Sequence, residues 1–333
     1  MELDFLFEMD PYSLNKEEKE KYFCEYQNQL TRYHYKNCDE YRKILDGLEY
    51  DPYKNYHYSK IPFLPVRLFK IFDLISVPKI DIVKTMTSSG TSGQAVSKIY
   101  LDKITALNQT KVLTKIVSSF AGIKRTPMII IDSEAVIKNR NSFSARGAGI
   151  LGFSIFGTKK LFALDQNMKL KIDDLINFIH QNQGEKIFIF GFTFMIYQYF
   201  IKQIDEAEIK LNLSNAILIH GGGWKKLINE SVSSKEFHKK LNQKLGITSI
   251  HDYYGMVEQT GSIFMECNHG NMHVSNFSDI FIRRALDFKL ADVGERGLIQ
   301  TLSLIPKSYP GHSLLTEDEG SFLGEDDCTC GRR

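Results

Sequence analysis

One stretch of the sequence, TMTSSGTSGQAVSK at residues 85–98, decides how the fold is interpreted. At its centre Gly90 and Gly93 stand among serines and threonines, a composition that neither a helix nor a strand favours. Backbone N–H groups in such a loop can converge on an anion, and the hydroxyl groups add donors to phosphate oxygens. The spacing differs from that of a Walker loop, because no lysine directly follows Gly93. The candidate phosphate-binding residues are Ser88, Ser89, Gly90, Thr91, Ser92 and Gly93, and a flexible surface loop is the alternative.

Short apolar strands and amphipathic helices alternate on both sides of this loop. The pattern predicts helices at 102–120, 173–181 and 235–245, the first with Asp102 as its N-cap and the last with Gly246 as its C-cap. It predicts strands at 81–86, 97–101, 127–132, 186–190 and 216–220, and a strand-rich region from about residue 247. This alternation is typical of an α/β fold with at least one largely parallel sheet.

Composition excludes several broad classes of protein. Among 333 residues, 42 Lys and Arg stand against 40 Asp and Glu, a formal charge of +2. A nucleic-acid-binding protein that works by bulk charge carries a larger basic excess. The hydrophobic fraction of 43% excludes a fully disordered chain, and no apolar run approaches the ~18 residues of a membrane helix. An acidic N-terminus and an odd number of scattered cysteines favour a soluble cytoplasmic protein.

A triple glycine, Gly221, Gly222 and Gly223, follows the strand predicted at 216–220. Glycines at the carboxyl end of a strand let a flat ligand approach the backbone closely. A plain turn between a strand and a helix is the alternative interpretation.

A second candidate motif, DYYGMVE at residues 252–258, follows another apolar strand. The aromatic faces of Tyr253 and Tyr254 suit stacking on a purine, and Gly255 allows a sharp turn after them. The carboxylate of Glu258 is a ligand of the kind that Mg²⁺ takes beside phosphates. The alternative is a buried tyrosine corner with a solvated glutamate.

The cysteines suggest a metal site. Cys267 and His273 are followed far downstream by Cys328 and Cys330, and three thiols with one imidazole are a usual zinc set. His269 is an alternative to His273. Cysteines without a metal are the competing interpretation, because Cys-x-Cys is tighter than the common Cys-x₂-Cys. The two remaining cysteines, at 24 and 38, are expected in helices without a role.

Taken together, these motifs resemble those of the adenylate-forming enzymes, the superfamily of acyl-CoA ligases, adenylation domains and luciferases. Residues 87–93 are similar to its phosphate loop, and 254–258 to its Tyr-Gly-x-Thr-Glu motif, with Val257 in place of threonine. The triple glycine stands where the superfamily has adenine-contacting glycines. Thr316-Glu317-Asp318 resembles its Thr-Gly-Asp, which implies that Asp318 binds the ribose hydroxyls. The resemblance implies that Thr91 and Glu258 are catalytic. It further implies ATP binding by Ser88–Gly93, Gly221–Gly223, Tyr253, Tyr254, Gly255, Glu258 and Asp318.

Within the superfamily the sequence most resembles the LuxE-type acyl-protein synthetases, which are related to phenylacetate–CoA ligases. Residues 85–98, 308–318 (SYPGHSLLTED) and 324–332 (GEDDCTCGR) carry this resemblance. It implies the fold of an adenylate-forming core, with layered sheets flanked by helices and a strand-rich subdomain. It also implies that a carboxylic acid, for which a long-chain fatty acid is the family's founding case, is activated with ATP and Mg²⁺ to an acyl-adenylate. The acyl group is then transferred to a protein cysteine for an acyl reductase. We expect a helical segment at 1–60 and the core at 61–333.

The superfamily's small C-terminal domain, and the short tail with the acyl-accepting cysteine of the LuxE-type family, are expected beyond Arg333. Two alternative functions stay open. One is an aryl- or acyl-CoA ligase of the phenylacetate type, which shares the first half-reaction. The other is a non-catalytic nucleotide-binding scaffold subunit that docks a reductase, an alternative that the substitution at Val257 favours.

Overall fold

The computed structural model describes residues 3–88, 95–138, 145–224 and 231–333. These residues fall into two units. The first contains Met1–Ser119, Gly255–Phe264 and Asn271–Arg333, and the second contains Phe120–Tyr254 and Met265–Gly270. The predicted division into residues 1–60 and 61–333 stays a prediction. No helix within the described ranges is long and apolar enough to cross a membrane.

The first unit opens with three helices: α1 (Asp4–Glu8), α2 (Lys16–Asn37) and α3 (Asp39–Gly47). The sequence sets the start of α2, because the side chain of Asn15 accepts from the Glu18 N–H while the Glu18 side chain accepts from the Asn15 N–H. Such a capping box satisfies two N–H groups that the helix leaves unpaired. Cys38 lies between α2 and α3 and is buried, so the expectation that it belongs to a helix was wrong.

The sheet of the first unit has four strands in the order β1-β13-β12-β11. β1 is parallel to β13, and β12 is antiparallel to both of its neighbours. A separate antiparallel pair, β2 with β3, extends from Ile82 opposite Asp102 to Thr87 opposite Lys98, with a shift of register between Ile82 and Lys84. The strands are β1 (Leu64–Pro65), β2 (Ile82–Thr87), β3 (Lys98–Asp102), β11 (Ser278–Arg283), β12 (Arg296–Ser303) and β13 (Ser313–Ser321).

Helix α2 packs on this unit through polar as well as apolar side chains. Gln27 Nε2 donates to the carbonyl oxygens of Ser303 (2.9 Å) and His312 (3.1 Å). The His34 and His312 rings stack with centroids 5.0 Å apart, and burial lowers the pKa of both, that of His34 to about 3. Both rings are therefore neutral at pH 7. Buried polar groups stabilise a fold only when they are hydrogen-bonded, so these bonds fix the position of α2.

Helix α4 (Lys103–Ala121) begins in the first unit and ends at the start of the second. As predicted, Asp102 caps it, since the Thr105 N–H donates to Asp102 Oδ1 at 2.8 Å.

The second unit contains five parallel strands in the order β8-β7-β6-β4-β5. Every residue of β6 and β7 is buried, as expected for parallel strands that are covered on both faces. The strands are β4 (Thr126–Ser133), β5 (Gly157–Leu164), β6 (Ile187–Phe192), β7 (Ala216–Gly221) and β8 (Ser249–Tyr254). The strands predicted at 127–132, 186–190 and 216–220 are thereby confirmed.

The helices of this unit are α5 (Ala135–Lys138), α6 (Ala145–Phe153), α7 (Ile172–Gln181), α8 (Thr193–Met195), α9 (Lys202–Glu206) and α10 (Ser234–Leu245). Helix α10 ends as predicted, at Gly246 with φ of +72°. There are also two short strands, β9 (Phe264–Glu266) and β10 (Met272–His273), and a π-helix at Ile196–Ile201. The alternation of strands and helices confirms the predicted α/β class.

Candidate active site

The base of the predicted phosphate loop lies at the end of β2 and the start of β3, in the first unit. The Ser88 N–H donates to the Ser97 carbonyl at 3.1 Å, and the Ser97 N–H donates to Ser88 Oγ at 3.0 Å. The strand pair therefore brings the two ends of the loop together. The other candidates, Ser89, Gly90, Thr91, Ser92 and Gly93, lie outside the described residues.

The segment that carries Glu258 packs close to the same strand pair. Met256 and Val257 rest against a hydrophobic cluster that includes Tyr309 and Ile99, and Met86 of β2 packs against this cluster too. We call it the Tyr309 cluster; its buried members are Cys38, Tyr41, Leu45, Leu64, Phe69, Leu74, Ile99, Leu101, Tyr309 and Leu314. Val257 thus makes an apolar contact, which gives a packing reason for valine at this position.

The Glu258 carboxylate lies near the Tyr309 phenol. Burial raises the pKa of Tyr309, and the negative charge of Glu258 contributes to the rise. The residues after Glu258 are held tightly: Gln259 Nε2 donates to the carbonyls of Thr301 (3.1 Å) and Gly311 (2.7 Å). The Thr260 N–H donates to the Tyr309 hydroxyl at 2.8 Å. Met86, two residues before Ser88, and Val257, the neighbour of Glu258, thus pack against the same Tyr309 cluster of the first unit.

Asp318 lies in β13 of the same unit and is exposed. Its N–H donates to Thr316 Oγ1 at 3.2 Å, and that hydroxyl donates to the Ile299 carbonyl at 2.8 Å. Thr316 thereby ties the backbone at Asp318 to β12, which leaves the carboxylate at the surface of this sheet.

In the second unit, Gly221 and Tyr253 are register partners at the carboxyl ends of β7 and β8. A Cβ atom at Gly221 would lie 2.4 Å from Cε1 of Tyr253, so only glycine fits beneath the tyrosine ring. That ring also packs against Phe153, with centroids 5.0 Å apart. Gly222 has φ of +77°, a conformation that favours glycine, and both Gly222 and Gly223 are exposed. Ligands of open α/β sheets bind at this edge, beyond the carboxyl ends of the strands.

One position earlier in the same register lies a polar pair to which the sequence analysis gave no role. His220 is buried opposite Asp252, with Nδ1 3.5 Å from Asp252 Oδ1 and 2.9 Å from Thr193 Oγ1. Its Nε2 atom is buried without a hydrogen-bond partner among the described residues. The signal was present in the sequence as two ionisable residues beside the glycine and tyrosine motifs, but only the strand register shows that they are opposite.

Electrostatics at this edge favour uncharged side chains. Burial, together with the neighbouring Glu266 carboxylate, raises the pKa of Asp252 to about 7. Burial lowers the pKa of His220 to about 3, so its imidazole is neutral at pH 7. The Asp252 carboxyl is therefore poised to exchange a proton near neutral pH.

The predicted metal ligands are found in both units. His273, Cys328 and Cys330 belong to the first, and their ligand atoms lie within 4.8 Å of one another. Burial and the charge of Arg332 lower the pKa of His273. Cys267 is buried and belongs to the segment Met265–Gly270 of the second unit, as does the exposed alternative His269.

A family model, that of the acyl-protein synthetase LuxE, matches residues 2–333. The chain is 23% identical over 336 residues to a long-chain-fatty-acid–luciferin-component ligase of Vibrio harveyi, a match that covers 97% of this chain and 85% of that protein. It is 25% identical over 330 residues to the ligase of the same name from Aliivibrio fischeri, with 95% and 83% covered.

Solved structures with a similar fold are adenylate-forming ligases. A 2-hydroxyisobutyryl-CoA ligase, in an open conformation with 2-HIB-AMP and CoA, matches with a TM-score of 0.73 at 15% identity over 96% of this chain and 74% of that one. ATP-bound MatB from Rhodopseudomonas palustris matches with a TM-score of 0.52 at 12% identity over 75% of this chain and 47% of that one. These similarities confirm the predicted fold class.

Proposed function

Since the chain belongs to the LuxE family of acyl-protein synthetases, we propose that it is a ligase that activates a carboxylic acid with ATP and transfers the acyl group to a protein cysteine. The family match over residues 2–333 is the observation that carries this proposal. The names of the relatives favour a long-chain fatty acid as substrate. The packing of Met86 and Val257 against one cluster supports it, because these residues belong to two motifs that resemble those of adenylate-forming enzymes.

In the first half-reaction, a carboxylate oxygen of the acid attacks the α-phosphorus of ATP, and the bond to pyrophosphate breaks. The products are acyl-adenylate and pyrophosphate. Charge develops on the phosphate oxygens, where the N–H and hydroxyl donors of residues 88–93 would stabilise it. In this proposal Thr91 and Glu258 act at the phosphates. Gly221–Gly223, Tyr253, Tyr254 and Gly255 hold the adenosine, and Asp318 binds the ribose.

Magnesium belongs to the same step in this proposal. A carboxylate oxygen, such as those of Glu258, is a ligand type that Mg²⁺ prefers in phosphate sites. When bound, the ion polarises phosphate oxygens and makes pyrophosphate a better leaving group. Zinc would have a structural role only, because four protein ligands leave no open coordination position.

In the second half-reaction, a cysteine thiolate attacks the acyl carbonyl carbon and the bond to AMP breaks, which leaves a thioester and free AMP. A partner acyl reductase would consume this thioester. A cytoplasmic location agrees with a chemistry that needs a reduced thiol.

The first experiment is acid-dependent exchange of labelled pyrophosphate into ATP, measured over fatty, aryl and sugar-linked acids. We expect exchange with at least one fatty acid. Glu258→Gln should reduce the exchange rate by on the order of 100-fold, because the loss of one group that stabilises charge on the phosphates has an effect of this size. The matched control is Glu319→Gln, which removes an exposed carboxylate 2.8 Å from Arg296 and should leave the rate unchanged.

Hydroxamate trapping with and without coenzyme A, together with the exchange assay, distinguishes the two alternatives. Thioester release that depends on added coenzyme A would favour a CoA ligase of the phenylacetate type. A chain that binds a reductase but shows no exchange with any acid would be a scaffold subunit, and the proposal would be wrong.

A further inference from the structure

Residues 324–333 form neither helix nor strand, yet they pack against the N-terminal part of the first unit. The Lys16 N–H donates to Asp326 Oδ2 at 2.9 Å, and Lys16 Nζ lies 2.9 Å from Glu325 Oε2. The Arg333 N–H donates to the Tyr12 carbonyl at 3.3 Å. Exposed contacts of this kind contribute little free energy. Arg332 adds a contact with the Tyr12 ring, 5.6 Å from its centroid, and a metal ion would attach the segment more strongly.

Two cysteines of the segment lie beside a histidine from a distant part of the chain. Cys330 Sγ is 3.3 Å from Nε2 of His273, a residue 57 positions earlier. The ligand atoms of His273, Cys328 and Cys330 are all within 4.8 Å of one another. A tetrahedral zinc ion with Zn–S near 2.3 Å and Zn–N near 2.0–2.1 Å places its ligand atoms roughly 3.5–4 Å apart. The observed spacing suits that geometry with small adjustments of side-chain torsions.

The thiols also have the hydrogen bonds that zinc-binding thiolates receive. The Arg332 N–H donates to Cys330 Sγ at 3.5 Å, and Asn271 Nδ2 donates to Cys328 Sγ at 3.6 Å. In the second unit, the His269 N–H donates to Cys267 Sγ at 3.4 Å, the same two-residue step as at Cys330. Such donors stabilise negative sulfur and orient the ligand. Both cysteines of residues 324–333 therefore have a hydrogen-bond donor beside the sulfur.

We propose that His273, Cys328 and Cys330 bind a structural zinc ion that fixes residues 324–333 to the rest of the first unit. Because the ligands are assembled only in the folded chain, the free energy of zinc binding stabilises the attachment of this short segment. The edge of the Tyr12 ring faces the His273 ring, with centroids 6.2 Å apart, so the ion would also order the N-terminal residues around Tyr12.

The direct test is the metal content of the whole chain, purified without chelators from a zinc-replete culture and measured by inductively coupled plasma mass spectrometry. We expect about one zinc ion per chain, the stoichiometry of a single structural site. After exchange for Co²⁺, the spectrum should show thiolate-to-cobalt charge transfer and the d–d bands of tetrahedral cobalt. A protein with no zinc, or a cobalt form without charge-transfer bands, would overturn the proposal. Both measurements use the unaltered chain, so they do not depend on whether a variant folds.

Substitutions identify the ligands. Cys328→Ser and Cys330→Ser should each lose the zinc, whereas Cys24→Ser, a half-buried thiol in α2, should keep it. Retention of zinc by both Cys328→Ser and Cys330→Ser would refute the site.

The attachment itself is measured by hydrogen exchange before and after removal of the zinc. Exchange should rise at residues 324–333 and around Tyr12, and it should not rise in β4 of the second unit. A uniform rise would show general destabilisation, and no change at 324–333 would show that the ion does not fix this segment. Either result would contradict the proposed role.

Discussion

The change Gly221→Ala tests the close approach of β7 and Tyr253. The new Cβ would lie 2.4 and 2.5 Å from Cε1 and Cδ1 of the Tyr253 ring and 2.6 Å from the Tyr253 carbonyl oxygen. Atoms in contact stay about 3.5–4.0 Å apart, so something must move by about 1 Å. The ring cannot retreat easily, because it packs against Phe153 and Phe190. The backbone carbonyl is held by the pairing of β7 with β8.

Overpacking of this kind costs ~1–3 kcal/mol, which at ~2–4 °C per kcal/mol lowers the melting temperature by roughly 2–12 °C. We also expect kcat/KM for ATP in pyrophosphate exchange to fall by up to about 100-fold, because a displacement of 1 Å near a reacting group has that effect. Thermal unfolding and the exchange assay measure the two effects.

The control is Gly223→Ala, since a Cβ atom there meets nothing within 4 Å. Its free energy of unfolding should stay within ~0.5 kcal/mol of wild type. If Gly221→Ala were as stable as Gly223→Ala, the tight packing of Tyr253 on β7 would be refuted.

Two further predictions concern side chains around the candidate site. Gln259→Ala should lower the free energy of unfolding by ~1–3 kcal/mol in urea titrations and reduce exchange activity, because it leaves the buried carbonyls of Thr301 and Gly311 without their donor. The exposed Gln243→Ala should change stability by less than ~0.5 kcal/mol, and equal effects would contradict the anchoring role. The folded state raises the pKa of Asp252 from 3.8 to about 7, so it binds the proton more tightly than the unfolded state and stability falls as pH rises through this window. Between pH 5 and pH 8 the wild type should therefore lose stability relative to Asp252→Asn in urea titrations. The opposite trend would show that folding does not raise the pKa of the Asp252 carboxyl.

Much of the fold follows from local patterns. The cap at Asp102, the left-handed glycine at 246 and the continuous apolar strands are each determined by a few neighbouring residues. The sequence indicated a turn or a ligand contact at Gly221 and Gly222. The positive φ of Gly222 suits a turn, whereas the close approach of the Tyr253 ring to Gly221 was not predicted.

Features that depend on distant pairing were not predictable. His220 and Asp252 are opposite each other because β7 and β8 are neighbours in the sheet. The order of strands in a sheet cannot be inferred from the local pattern of apolar residues. The motif at 308–318 was interpreted only through its resemblance, yet Tyr309 and His312 prove to be fully buried packing residues. The polar side chains of α2 gave no signal for the same reason, since their partners lie far away in sequence. The roles of the candidate site residues stay predictions.

The contact between Gln27 and Ser303 has a consequence for synthesis on the ribosome. These residues are 276 positions apart, and translation at ~5–20 residues per second separates their emergence by roughly 14–55 s. The second unit is largely one continuous stretch, 120–254, so its strands can assemble before Ser303 and His312, the partners of α2, have been synthesised. A nascent helix with an entirely apolar face would be prone to aggregate during that interval. The glutamine, threonine and histidine on its inner face keep it hydrated until the late strands arrive.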